Sequence, residues 1–282
     1  MTRPARRHPL RAAASRALSL AARGWVRASG RAPRILLTYH RVGDEEGALP
    51  ARVLEDQILA ARAAGFQIVV LSRMIDWLRS GAGLPPKAVA LTFDDGLADT
   101  ARVAGPILRR HGVRATVFPI LQFLDGPRRY ASARQRTFLL EHDGDPGTVP
   151  YDYMSWDDLD AWVEAGGEVG GHTLTHPFLG EVDAATGVAE IGRCRSRLAA
   201  RYGRPPGVFC YPYGDDGGAA GTWVRQAGFE AAVTSRPGVL NRKASLFHLP
   251  RLAAHPTAGR PFVELLCGVF RWRHCVRNLG LS

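Results

Sequence analysis

The sequence predicts an α/β protein, a parallel barrel of about seven strands, from three observations. Short apolar runs alternate with amphipathic stretches over residues 35–233. The runs have strand length, and the connections between them are long enough to hold helices, which is the pattern of parallel βα repeats. Seven such repeats suit a closed barrel better than an open sheet.

The expected strands cover 35–39, 67–70, 88–93, 115–118, 168–171, 207–211 and 230–233. The first helix, 51–64, places Val53, Gln57, Ile58 and Ala61 at helical spacing. A short helix over 72–79 has Ser72 at its N-cap, and 99–111 ends at Gly112, suited to a left-handed C-cap. Residues 155–165 open with Ser155 and Asp158, close to a capping box. Residues 183–202 stop at Gly203 before Pro205 and Pro206, and 218–227 stop at Gly228. The stretch 125–153 breaks the rhythm; it is polar, rich in Gly and Pro, and suited to a wall or lid.

The 282 residues carry 37 Lys plus Arg against 26 Asp plus Glu, a net charge of +11 that invites a nucleic-acid reading. Position changes its meaning. Residues 1–34 hold nine Arg and no acid, 242–282 carry +6, and the body between them is left at −4. A nucleic-acid enzyme concentrates positive charge around its site, so no nucleic-acid partner is expected. The organisation that follows is a basic leader over 1–33, a barrel over 34–255 and a basic tail over 256–282. Placed on a helix, Ala14, Leu18, Ala21 and Trp25 share a face opposite Arg16, Arg23 and Arg27, a weak basic amphipathic pattern suited to an anionic membrane surface. The longest uncharged run in the leader, 17–22, is short for a secretory signal. A cytoplasmic or membrane-associated location is therefore favoured over secretion, and a monomer is expected. Cys194, Cys210, Cys267 and Cys275 form no CxxC pair and read as free, mostly buried thiols.

Four motifs carry chemistry. Thr92-Phe93-Asp94-Asp95-Gly96 ends the strongest strand, and side-chain alternation there aims two adjacent carboxylates in different directions. His172-Thr173-Leu174-Thr175-His176 places two imidazoles four residues apart, within reach of one metal ion, and Pro177 stops any long helix. An Asp with two His is an ordinary three-ligand set that leaves positions for water and substrate. Phe209-Cys210-Tyr211-Pro212-Tyr213-Gly214 fixes a backbone N–H after a proline, a suitable oxyanion donor. Tyr39-His40 closes the first strand. All four lie at strand C-terminal ends, the active face of a parallel barrel.

The set TFDDG, GHTLTH and FCYPYG, with LLTYHRV, YMSW and LPRL around it, resembles the polysaccharide deacetylase family with the NodB homology domain, carbohydrate esterase family 4. The likeness runs from Ile35 to about Leu252. It implies a distorted, TIM-like (β/α) barrel with one divalent metal, usually zinc, held by Asp95, His172 and His176. Asp94 would be the general base and the Tyr213 N–H an oxyanion donor. The activity implied is removal of N-acetyl groups from a glycan or glycan precursor, giving acetate and a free amine. An O-acetyl esterase, a small-amide hydrolase and an inactive carbohydrate-binding homologue share the pattern. Many members carry Arg where this chain has Cys210, which leaves the partner of the base carboxylate unassigned. The family's acid usually lies in a late Leu-x-His motif, which is not expected after residue 240; His40 resembles the acid of a subgroup with an early Tyr-His strand, and His255 competes with it. Trp156 and Tyr211 are candidate sugar-stacking residues.

Overall fold

The computed structural model describes residues 33–45, 47–81, 83–126, 152–243, 245–254 and 259–267. Its strands are β1 (Arg34–Tyr39), β2 (Gln67–Ile68), β3 (Ala88–Asp95), β4 (Thr116–Pro119), β5 (Glu168–Val169), β6 (Val208–Cys210), β7 (Ala231–Pro237) and β8 (Leu249–Ala253). The helices are α1 (Ala51–Ala63), α2 (Leu71–Ser80), α3 (Gly105–Arg110), α4 (Trp156–Glu164), α5 (Ala184–Tyr202), α6 (Ala220–Gln226) and α7 (Gly259–Leu266).

The sheet order is β5-β4-β3-β1-β8-β7-β6, and every pair in it is parallel. A bridge between Gly171 and Phe209 joins the two ends, so seven strands curl into a ring. That seam rests on two hydrogen bonds, Gly171 N–H to Val208 O at 2.9 Å and Cys210 N–H to Gly171 O at 2.8 Å. β2 lies outside the ring and pairs with the start of β3.

Strand alternation sorts the apolar side chains into layers. Leu36, Ala90, Phe118, Cys210, Val233 and Leu249 come from six strands yet form one cluster, which places them on the concave side. α2 joins them through Leu71, Met74, Ile75 and Leu78 and so plugs one end of the barrel. Leu37, Leu91, Phe93 and Val117 face outward beneath α1, α3, α4 and α7. Phe209, Tyr211 and Ala232 face outward beneath α5 and α6.

Most elements fall where the sequence predicts them. The capping box at Ser155 forms: its hydroxyl accepts from the Asp158 N–H, and the Asp158 carboxylate accepts from the Ser155 N–H. Asp183 caps α5, and Gly203 ends it in the left-handed conformation. Three places differ. Ser72 is not the N-cap of α2; Val70 holds that position, and Ser72 gives its N–H and hydroxyl to Glu168 of β5. The helix expected over 99–111 opens as a π-helical turn, Thr100–Ala104, before α3. Pro106 accounts for this, since it has no N–H for a regular i−4 bond and its ring crowds the preceding carbonyl. β8 and α7 were not anticipated. α7 lies inside the stretch read as a basic tail, yet Phe262 and Leu266 are buried in the core. The leader and most of the 125–153 stretch lie outside the described residues, as does His255. Among the described residues, no helix is long and apolar enough to cross a membrane.

Candidate active site

The site forms at the C-terminal ends of β1, β3, β5, β6 and β8. On β3, alternation turns Thr92 and Asp94 into the barrel. Asp95 then departs from the strand with a φ of 69°, which swings its carboxylate off the alternation axis. Gly96 has a φ of 71°, and a Cβ on it would lie 2.7 Å from the Pro119 side chain, so only glycine fits. The chain re-entering at Asp152–Met154 braces this turn: the Ala98 N–H donates to Asp152 O at 2.8 Å, and the Met154 N–H to Gly96 O at 2.9 Å.

Beyond β5, His172 and His176 turn their Nε2 atoms toward Asp95. Asp95 Oδ1 lies 3.2 Å from His172 Nε2 and 3.5 Å from His176 Nε2, and the two nitrogens are 3.1 Å apart. These three residues are the one His/Cys/Asp/Glu cluster among the described residues with metal-binding geometry. A tetrahedral ion with ligand bonds of ~2.0–2.1 Å needs ligand atoms about 3.3–3.4 Å apart, so the triangle fits zinc. His172 Nδ1 meets the Cys210 carbonyl at 2.7 Å, which orients the ring with Nε2 toward Asp95. Burial opposes its charge, but the neighbouring Cys210 and the Asp95 hydrogen bond raise its pKa well above the usual imidazole value. Burial, reinforced by the neighbouring His172, pushes the His176 pKa down to about 3. The imidazole therefore presents a lone pair rather than a proton.

Asp94 is 4% exposed, and burial alone would raise its pKa. The Arg251 guanidinium beside it outweighs burial and holds the carboxyl below its usual value. Arg251 bonds both carboxylate oxygens, at 2.7 Å to Oδ1 and 2.6 Å to Oδ2. It also donates to Thr92 Oγ1 at 3.0 Å, Thr234 O at 2.9 Å and Cys210 Sγ at 3.2 Å. The partner of the base carboxylate, left unassigned by the sequence, is thus a fully buried Arg on β8, and Cys210 is the small neighbour that lets it pass. An arginine inside an apolar strand pattern, Leu249-Pro250-Arg251-Leu252, was the available signal.

His40 is more than half exposed, with Nε2 4.0 Å from Asp94 Oδ2. Tyr213 takes a φ of 58° after Pro212, and its ring packs on His176 at 4.3 Å and on Phe178 at 3.9 Å. The ring thus borders the Asp/His cluster. The structure brings together Asp94, Asp95, His172, His176, His40 and Tyr213.

It does not bring Tyr211 or Trp156 into a sugar-stacking role. Because Cys210 faces inward, Tyr211 must face outward; it is 1% exposed, and its hydroxyl donates to Phe247 O. Trp156 gives its indole N–H to Asp125 at 2.7 Å, and its ring lies against the Arg197 and Arg201 guanidiniums. A late Leu-x-His pattern does exist, at Leu246-Phe247-His248. Its histidine meets Asp216 at 2.6 Å and lies parallel to the Tyr211 ring, on the outer layer.

A curled parallel barrel with one three-ligand centre and an adjacent buried carboxylate is a known class of hydrolytic scaffold, and the comparisons with known proteins specify it. The chain belongs to the polysaccharide deacetylase family, whose model matches residues 81–232, over half the chain. His40 and Arg251 lie outside that stretch. The Bacillus subtilis protein YxkH, named for the same family, is 20% identical over 82% of this chain and 75% of its own length. The poly-beta-1,6-N-acetyl-D-glucosamine N-deacetylase of Escherichia coli is 23% identical over 77% of this chain, which spans only 36% of that enzyme. Among solved structures, the fold resembles the Streptococcus pyogenes deacetylase PplD in complex with acetate, with TM-score 0.71, 17% identity, and 83% of this chain and 98% of that one covered. It also resembles IcaB from Ammonifex degensii, with TM-score 0.67, 22% identity, and 84% and 97% covered.

Proposed function

We propose that the chain is a metal-dependent deacetylase that removes N-acetyl groups from a glycan or glycan precursor. The observation that carries this reading is the pairing of two centres. A cation-shaped triangle of Asp95, His172 and His176 lies beside a carboxylate, Asp94, that Arg251 keeps ionised. The Escherichia coli relative supports the amide rather than the ester as target, since its name specifies N-deacetylation.

A divalent cation held by Asp95, His172 and His176 would supply a Lewis acid that lowers the pKa of water and polarises the acetyl carbonyl. The chain's own residues supply the rest. Asp94 accepts a proton from the attacking water through a carboxylate oxygen that Arg251 keeps oriented. The Tyr213 N–H donates to the oxyanion of the tetrahedral intermediate. His40, at the open side of Asp94, gives a proton to the leaving nitrogen as the C–N bond breaks. Water and amide become acetate and amine with the protons balanced.

Acetate release from acetylated β-1,6- and β-1,4-linked glucosamine oligomers, with and without chelator and zinc, tests this. Activity should vanish with chelator, return with the ion, and be lost in Asp95→Ala and His172→Ala. Release that survives both substitutions overturns the metal reading, and release only from O-acetylated substrates overturns the amide specificity.

A further inference from the structure

The loop that carries both histidines is unusual in where its backbone hydrogen bonds go. Thr173 and His176 are both left-handed, with φ values of 64° and 61°. For non-glycine residues such a conformation is strained and persists only when its surroundings fix it. Two elements provide that fixation: the Gln122 N–H donates to Leu174 O at 2.9 Å, and α5 holds the loop's own amides. Glu190 Oε2 accepts the Leu174 N–H at 2.8 Å and the Thr175 N–H at 2.9 Å, and Oε1 accepts the Thr175 hydroxyl at 2.9 Å. One turn further along α5, Cys194 is fully buried against the same loop. The loop closes on itself through the His176 N–H, which donates to Thr173 Oγ1 at 3.0 Å. The amides of Leu174 and Thr175, with the Thr175 hydroxyl, therefore converge on one carboxylate of one helix face.

A run of converging amides is an anion-binding concavity, and here the anion is a buried side chain. Bonds from amides to a carboxylate are charge-assisted, roughly twice as strong as neutral ones. Glu190 is 9% exposed and its bonds are spent on the segment between the two imidazoles.

We infer that Glu190 is a positioning residue for the metal centre. Its carboxylate templates the 172–176 loop so that both imidazoles converge on one ion, and α5 sets the ion's affinity without touching it. This rests on the metal reading above and deepens it.

The test compares wild type with Glu190→Gln and Glu190→Ala by cobalt(II) titration and competition with a chromophoric chelator, alongside circular dichroism and melting of the ion-free proteins. Removing such supports from known metal sites weakens binding about 10–100-fold, and a loss in that range is expected for Glu190→Ala. Glu190→Gln should fall between, because its amide oxygen still accepts from the two N–H groups without the charge. The visible bands of bound cobalt should weaken and shift in both. Wild-type affinity and spectrum in a folded Glu190→Ala overturn the inference. If Glu190→Ala does not fold, Glu190→Gln decides: wild-type binding and bands overturn the inference, and weakened binding supports it. A wild type that binds no ion overturns the metal reading itself. A wild type that binds the ion in a Glu190-dependent way but releases no acetate leaves this inference standing and removes the deacetylase one.

Discussion

Burial by itself pushes the Asp94 pKa up. A carboxyl that held its proton could not take one from water, so the role proposed for Asp94 depends on what opposes burial. Arg251 does so with a two-pronged contact, the strongest pairing available to a carboxylate. Because its pKa is depressed, Asp94 is deprotonated above that value, and activity should fall on the acid side only as pH drops through it. Arg251→Ala leaves burial unopposed. The acid limb of kcat/KM should then move to higher pH, and activity at neutral pH should fall by roughly 10²–10⁴, the usual contribution of a positioned base. Arg251→Lys keeps the charge but loses the fork, and a smaller move of the same limb is expected. An unmoved limb in Arg251→Ala would mean another group serves as the base. Most of the residues proposed to touch the reaction were legible in the sequence because TFDDG, HTLTH and YPYG are contiguous. Arg251 was not, since it reaches Asp94 from 157 positions away. By sequence it counted toward the charge of the basic C-terminal stretch, whereas in the fold that charge is neutralised inside the barrel. The backbone carries a matching mark. The four non-glycine residues with positive φ among those described are Asp95, Thr173, His176 and Tyr213, all in the site.

Among the elements, those with clean periodicity were legible and those with a mixed pattern were not. α5 has a cap at each end and a continuous apolar face, and its predicted span is off by one residue. β8 reads Leu-Pro-Arg-Leu-Ala, and Pro250 within a run argues against a strand. It pairs nonetheless, because the β7–β8 register is irregular between Val233 and Pro237. α7 was missed because its apolar residues lie in a stretch read by its charge. The weakest join in the barrel is the β5–β6 seam. Gly170 is an essential part of it, since a Cβ there would come within 2.1 Å of the Phe118 ring and 2.8 Å of the Val208 carbonyl. The ring can rotate but the carbonyl belongs to the seam, so Gly170→Ala must pry β5 from β6. Overpacking of this kind costs about 1–3 kcal/mol. Urea unfolding should show a lower midpoint by that amount, and metal affinity should drop with it, because His172 follows two residues after. An unchanged midpoint would mean that the seam contributes little to closure.

At the scale of the whole molecule, the site acts as a clasp across the barrel mouth. Arg251 ties β8 to β3 through Asp94 and touches β6 through Cys210. The Asp95, His172 and His176 triangle joins the end of β3 to the segment after β5, with β4 between them. The two ties together span most of the ring, so occupancy of the triangle should be felt as global stability. An ion that binds only the folded chain stabilises it by about 2.7 kcal/mol at a hundred times its Kd. For a domain of this size, each kcal/mol raises Tm by roughly 2–4 °C, so saturating zinc should raise the melting temperature of chelator-stripped protein by roughly 5–11 °C. Asp95→Ala removes one ligand and the charge, and its melting temperature should respond little to zinc. His40→Ala is the control: it leaves the triangle intact, so it should lose activity and keep the full thermal response. If His40→Ala lost the zinc response along with Asp95→Ala, the stabilising ion would be bound by a wider set of groups than the triangle, and the division between a binding centre and a proton-transfer centre would have to be redrawn.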